Sequence, residues 1–230
     1  MILMVTKPIA VYIVDLDSMH QYDAEFETIG PMYLGNEYKA NKHYIMTLVG
    51  NLLVHYVFRK QYPQRPLPEY SFNENGKPFF EQYSDFQFNI SDSKLRVVAA
   101  FDTEAVGADV EYLRTHRMEL MQRFFSDEER HYVENQENDE LRGRAFTMLW
   151  SMKEALVKCL GTGIAKDFLN YSVNPETETV TPVDSGLAVS GTIIDDSCVV
   201  TLCSRGEKPS FDFHKVAMEE ILDTLKLDLQ

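Results

Sequence analysis

The chain has 230 residues, enough to bury a sizeable core without a metal or disulfide to hold it together, and its 44% hydrophobic and 25% charged residues lie near the globular average. Its 22 basic and 36 acidic residues leave a formal charge of −14, which argues against nucleic acid or a membrane surface as partner; an anionic substrate would need cations concentrated locally. Three cysteines, Cys159, Cys198 and Cys203, show no CxxC or Cys/His spacing, so neither a disulfide framework nor a zinc site is indicated, and a cytoplasmic location fits.

The opening residues carry one lysine, Lys7, and a short β-branched run at 9–14, which predicts a buried strand in place of a signal peptide. Over 36–61, Tyr44, Ile45, Leu48, Leu52, Val57 and Phe58 keep helical spacing, so a long central helix is expected there, stopped by Pro63, Pro66 and Pro68. Residues 70–72 and 73–78 read as strand, turn and extended segment. Two more strands are expected at 86–90 and 96–101, with a polar turn at 91–94. The segment 106–111 sets Val106, Ala108 and Val110 on one face and Gly107, Asp109 and Glu111 on the other. Ser126-Asp-Glu-Glu129 has the form of a capping box opening a helix. A further helix is expected at 144–160, ended by Gly161 and Gly163, then a strand at 198–203 and an amphipathic helix near 213–227.

Two clusters carry chemistry. Asp109 and Glu111, two apart on a strand, can hold one hard cation such as magnesium between them, although an isolated DxE is also what a solvent-facing edge strand presents. Trp150, Glu154 and Lys158 recur every four residues and line one helical stripe, an arrangement that an ordinary Glu–Lys surface pair beside a buried tryptophan would share.

Taken in order, Gly76-Lys-Pro78, Phe88-Asn-Ile-Ser-Asp-Ser93, Val106-Gly-Ala-Asp-Val-Glu111, Phe124-Phe-Ser-Asp-Glu-Glu129 and Trp150-Ser-Met-Lys-Glu-Ala155, followed by Lys158, resemble the 4′-phosphopantetheinyl transferase superfamily. The closer likeness is to its larger, surfactin-synthetase type. The resemblance implies an α+β fold of two similar halves, 1–104 and 105–230, in a pseudo-twofold arrangement with the site between them. It implies transfer of 4′-phosphopantetheine from coenzyme A to a serine of an acyl or peptidyl carrier protein by a magnesium-dependent, holo-acyl-carrier-protein-synthase-type monomer. A catalytically weak relative that binds carrier or nucleotide is the alternative.

By the same resemblance Asp109, Glu111 and Glu154 would hold Mg2+, and Lys158 would stabilise or protonate the leaving 3′,5′-ADP. Lys153 would help hold the pyrophosphate. Lys77, Pro78, Ser91 and Asp92 would border coenzyme A. Glu129 is either the base for the carrier serine or simply the N3 residue of its capping box. Asp92 stands where the family usually has a histidine, and Met46 where it has an arginine, so less positive charge is expected around the 3′-phosphate. Lys42, His43 and Lys94 could replace it, and Arg114, Arg117 and Arg123 are candidates for docking an acidic carrier.

Overall fold

The computed structural model describes residues 6–18, 20–34, 41–162, 168–182 and 185–225. Its core is two antiparallel-dominated sheets. In the first, β1 (Thr6–Asp15) lies between β5 (Arg96–Asp102), with which it runs antiparallel, and β11 (Lys208–Lys215), with which it runs parallel; β4 (Gln87–Ser93) closes the other edge against β5. In the second, β10 (Cys198–Arg205) is flanked by β6 (Gly107–Tyr112) and β9 (Leu187–Ile194), antiparallel to both. Two short hairpins, β2/β3 (Ser71–Phe72, Pro78–Phe79) and β7/β8 (Ser172–Asn174, Thr179–Thr181), complete the strands.

Alternation along the strands assigns each sheet two apolar faces. On β5, Val97 and Ala99 face α2 (Lys42–Gln61) and its cluster, whereas Val98 and Ala100 join Ile9, Val11 and Ile13 of β1. That second group meets Ala108, Val110, Val200 and Leu202 from the other sheet, so a shared apolar layer lies between the sheets. The far side of the second sheet is covered by α5 (Asp139–Leu160), through Leu149, Met152, Ala155 and Leu156. Carboxylates at 109 and 111 are therefore turned toward α5, because their neighbours at 108 and 110 occupy the layer between sheets.

The two sheets are also joined side by side. The backbone N–H groups of Ala108 and Val110 donate to Asn89 Oδ1 (2.8 Å) and Ser91 Oγ (3.3 Å) of β4, so side chains satisfy the edge of β6 where no strand pairs with it. A buried N–H left bare would cost about 1–3 kcal/mol. Gly107 permits the close approach on the other flank: a Cβ there would sit 1.9 Å from the Ala155 carbonyl oxygen.

Helix ends follow sequence chemistry closely. Asn41 caps α2 by accepting from Tyr44 N, and Asn138 caps α5 by accepting from Leu141 N, while Gly161 ends α5 at φ 69°. The capping box of α4 (Asp127–Glu134) forms as expected, after α3 (Met118–Phe124). Several expectations need correction. The long helix begins at Lys42, its expected first residues 36–40 lying outside the described set; α5 starts at Asp139, five residues before the expected 144; and β4 continues through Ser93, so 91–93 are strand. Residues 213–215 end β11, and the last helix, α6, is Met218–Leu225 among the described residues, the expected 226–227 lying outside them. The helix α1 (Asp23–Leu34) and the strands β7, β8 and β9 were not anticipated.

The order strand, long helix, hairpin, two antiparallel strands occurs twice, as β1, α2, β2/β3, β4, β5 and as β6, α5, β7/β8, β9, β10. In each case the last strand pairs with the first. The C-terminal segment does not stay with the later elements: β11 lies on β1, and α6 packs on α2, with Tyr22 and Tyr56 hydroxyls donating to Glu219 (2.6 Å) and Glu220 (2.5 Å). Among the described residues no helix is long and apolar enough to cross a membrane.

Candidate active site

The site lies where β4, β6 and the last turns of α5 meet. Asp109 and Ser91 are buried on facing edges, and Lys158 reaches them from α5. Lys158 Nζ donates to Asp109 Oδ1 (2.7 Å) and Ser91 Oγ (2.9 Å), and Ser91 Oγ donates to the same carboxylate oxygen (2.8 Å). Asp109 Oδ2 is buried and has no partner. Glu111, two residues along the strand, pairs with Arg114 (3.2 Å) and accepts from Ser93 Oγ (3.4 Å). Arg114 in turn lies over the rings of Phe146 and Trp150.

Glu154, one turn before Lys158, is also buried. Its pKa is pushed up to about 7, first by burial and then by the negative charge of Asp109 and Glu111, against the pull of Lys158. Burial and Asp109 likewise raise Glu111. Burial works against the charge on Lys158, but Asp109, Glu154 and Glu111 outweigh it and hold that ammonium above its ordinary pKa. Three carboxylates that feel one another's charge, with one ammonium paired to Asp109, leave a surplus of negative charge in a poorly solvated space. Among the described residues no three acidic, histidine or cysteine side chains already converge on a single point.

A cleft of about 840 Å³ opens beside this cluster, lined by Met46, Thr47 and His55 of α2, Tyr70, Pro78 and, at its inner end, Ser91 and Asp92. A smaller cavity of about 230 Å³ shares Gly76 and Pro78 with it and reaches Glu154 and Lys158. Burial raises the pKa of Asp92, against the pull of Lys158, Lys42 and His43. Of the three side chains considered as substitutes, Lys42 and His43 thus act on Asp92. Met46 is buried in the cleft wall, and Lys94 lies over the Tyr112 ring, 3.9 Å from its centroid.

Glu129 and Lys153 stand apart from the cluster. Glu129 is 1% exposed at its side chain and Lys153 3%, and they form an ion pair, with Nζ 3.0 Å from both carboxylate oxygens. Glu129 also accepts from the backbone N–H of Ser126 and Val173 (both 2.8 Å), and Lys153 donates to the Tyr171 carbonyl (2.7 Å). Lys77 lines the smaller cavity with Glu154 and Lys158 and is not among the residues of the large cleft; its ammonium donates to the Lys158 (2.7 Å) and Val106 (2.9 Å) carbonyls. Asn89, Asn73 and Asn75 also hold the site together, and no local sequence pattern marks them, because they reach backbone groups 19 to 88 residues away. Gly163 lies outside the described residues.

Comparison with known proteins gives a consistent result. A family model described as the 4′-phosphopantetheinyl transferase superfamily matches residues 105–196. The chain is 30% identical over 182 residues to 4′-phosphopantetheinyl transferase Sfp of Bacillus subtilis, covering 76% of this chain and 81% of that protein. It is 34% identical to 4′-phosphopantetheinyl transferase ffp of B. subtilis, over 55% of this chain and 57% of the relative. Identity to 4′-phosphopantetheinyl transferase psf-1 of Bacillus pumilus is 36% over 55% of this chain and 54% of the relative.

Proposed function

Because the chain belongs to the 4′-phosphopantetheinyl transferase superfamily, we propose that it moves the 4′-phosphopantetheine arm of coenzyme A onto a serine of an apo acyl or peptidyl carrier protein and releases 3′,5′-ADP. The observation that carries the reading is the cluster of Asp109, Glu111, Glu154 and Lys158 beside a cleft large enough for a nucleotide, whose wall includes Ser91, the hydrogen-bond partner of Asp109 and Lys158. The orphaned oxygen of Asp109 and the raised pKa of Glu154 are what a hard cation would relieve, and all three donors are carboxylates, as magnesium prefers. Bound there by Asp109, Glu111 and Glu154, Mg2+ would neutralise the pyrophosphate of coenzyme A.

In the reaction the serine oxygen forms a bond to the phosphorus that carries the pantetheine arm. The bond from that phosphorus to the oxygen of 3′,5′-ADP breaks, and the proton of the serine hydroxyl leaves to solvent. Lys158 stands against this pyrophosphate, held by Asp109 and Ser91, and its ammonium stabilises the charge gathering on the leaving group. Pro78, Ser91 and Asp92 border the nucleotide, since all three line the cleft. Glu129 and Lys153 act as a buried tie between α4 and α5 in place of base and phosphate ligand.

We read the repeated order of elements as two halves, 1–104 and 105–230, related by an approximate twofold axis, and the enzyme as a cytoplasmic monomer. Arg114, Arg117 and Arg123, on and just before α3, offer the positive charge that an acidic carrier needs when the whole chain is at −14. Mass spectrometry of an apo carrier incubated with coenzyme A, magnesium and this chain tests the reading. A gain of one phosphopantetheine is expected; an unmodified carrier across several acyl and peptidyl carriers would refute it.

A further inference from the structure

The turn at 73–77 belongs to the first half of the sequence, yet its polar atoms end on the last turn of α5. Asn73 and Asn75 donate through Nδ2 to the Gly161 carbonyl, at 3.0 and 2.9 Å. Lys77 Nζ donates to the Lys158 carbonyl (2.7 Å) and the Val106 carbonyl (2.9 Å), with that of Cys159 at 3.5 Å. The turn is stiffened before it meets the helix, because Asn73 Oδ1 accepts from the backbone N–H of Asn75 (3.0 Å) and Lys77 (2.8 Å). The final carbonyls of a helix have no partner within it and carry the negative end of its dipole, so a part-buried ammonium is well matched to them.

These contacts join two elements that must keep their distance. Val106 immediately precedes β6, which carries Asp109, and residue 158 supplies the ammonium that meets Asp109. One lysine therefore ties the start of β6 to the end of α5. The same turn lines both cavities: Gly76 and Pro78 border each of them, and Asn75 and Lys77 border the smaller one with Glu154 and Lys158.

We propose that Lys77 is a positioning residue, whose ammonium holds the Lys158 and Val106 carbonyls so that the Lys158 side chain stays on Asp109 and Ser91, and that it does not itself contact coenzyme A. The assignment rests on the transfer reaction proposed above. It differs from the expectation that Lys77 borders the nucleotide, and the difference is measurable.

The experiment compares the full-length chain with Lys77→Met, Lys77→Arg and Asn75→Ala, measuring kcat and KM for coenzyme A with a carrier protein, and Kd for coenzyme A by calorimetry. Positioning predicts that Lys77→Met lowers kcat about tenfold or more while KM and Kd stay within about threefold. Lys77→Arg, which keeps a donor to the carbonyls, should recover most of the loss. Asn75→Ala, an exposed change that leaves the fold intact by circular dichroism, should lower kcat by about threefold at unchanged Kd. A tenfold rise in Kd with kcat retained would overturn the proposal, since it would mean direct contact with the cofactor. Unchanged kcat in Lys77→Met would overturn it too, and if that variant does not fold, unchanged kcat in Asn75→Ala decides against it. A wild-type chain that transfers nothing would overturn the proposed function itself, and is told apart from these outcomes by the wild-type measurement alone.

Discussion

Glu154 is the side chain whose charge state the site controls most. Its ordinary pKa of 4.5 rises to about 7 in the metal-free fold, so the ionised form is disfavoured by folding. Stability is therefore lost as pH rises through 7 and recovered as pH falls toward 4.5, by on the order of 3 kcal/mol at most. Glu154→Gln should accordingly abolish transfer and yet raise the melting temperature of metal-free protein at pH 8, with the gain vanishing near pH 5. Full activity in this variant would remove Glu154 from the metal set. The Glu129–Lys153 pair makes the opposite prediction. Removing one member leaves a buried charge unpaired, so Glu129→Gln should cost about 3–5 kcal/mol in urea denaturation. The double variant Glu129→Gln/Lys153→Met should regain much of that and still transfer; a well-folded but inactive double variant would return Glu129 to the role of base. Asp109 and Glu111 were legible on one face because strand alternation is a local rule. The destinations of Lys77 and Lys153 were not, because their partners lie 29 to 81 and 18 to 24 residues away and no local pattern encodes them.

Among the elements, the contact of β6 with α5 is the most sensitive. Gly107 meets the Ala155 carbonyl and the Cys159 backbone, so a methyl group at 107 would come within 1.9 and 2.5 Å of main-chain atoms that cannot step aside. Gly107→Ala should push the strand off the helix, separating Asp109 from Lys158. Transfer is expected to fall by at least about a hundredfold, and soluble yield with it. Normal activity in this variant would show that strand and helix are not held as described. Helices with strong caps were readable: Ser126-x-x-Glu129 and the glycine after Leu160 mark their ends in the sequence. The helix α1 was not, because Gly30-Pro31 inside it has the look of a break. Similarly, β11 carries Asp212, His214 and Lys215 at an edge where solvent permits charge, which blurred its alternation and allowed 213–215 to be taken as helix.

At the scale of the whole molecule, the crossing of β11 and α6 binds the first sheet to residues made much later than its other strands. Deleting 208–225 would strip β11 from β1 and expose Ile221, Leu222 and Leu225 contacts on α2, together with the Tyr22 and Tyr56 hydroxyls. The truncated chain should lose several kcal/mol, on the order of 2–5 for each large buried side chain withdrawn from the core, and should be cut rapidly within 6–102 by protease. Resistance equal to the intact chain would show that the first sheet stands without its parallel strand.

The same crossing sets a timetable for synthesis. By the time β5 has been made, β1 already has one partner, but its other edge waits for β11 until roughly 100 further residues have been added, about 5–20 s at usual translation rates. During that interval a nascent chain presents an open strand edge next to an unfinished apolar cluster. Its yield in cells is therefore expected to depend on translation speed and chaperone supply more than the stability of the finished protein would suggest.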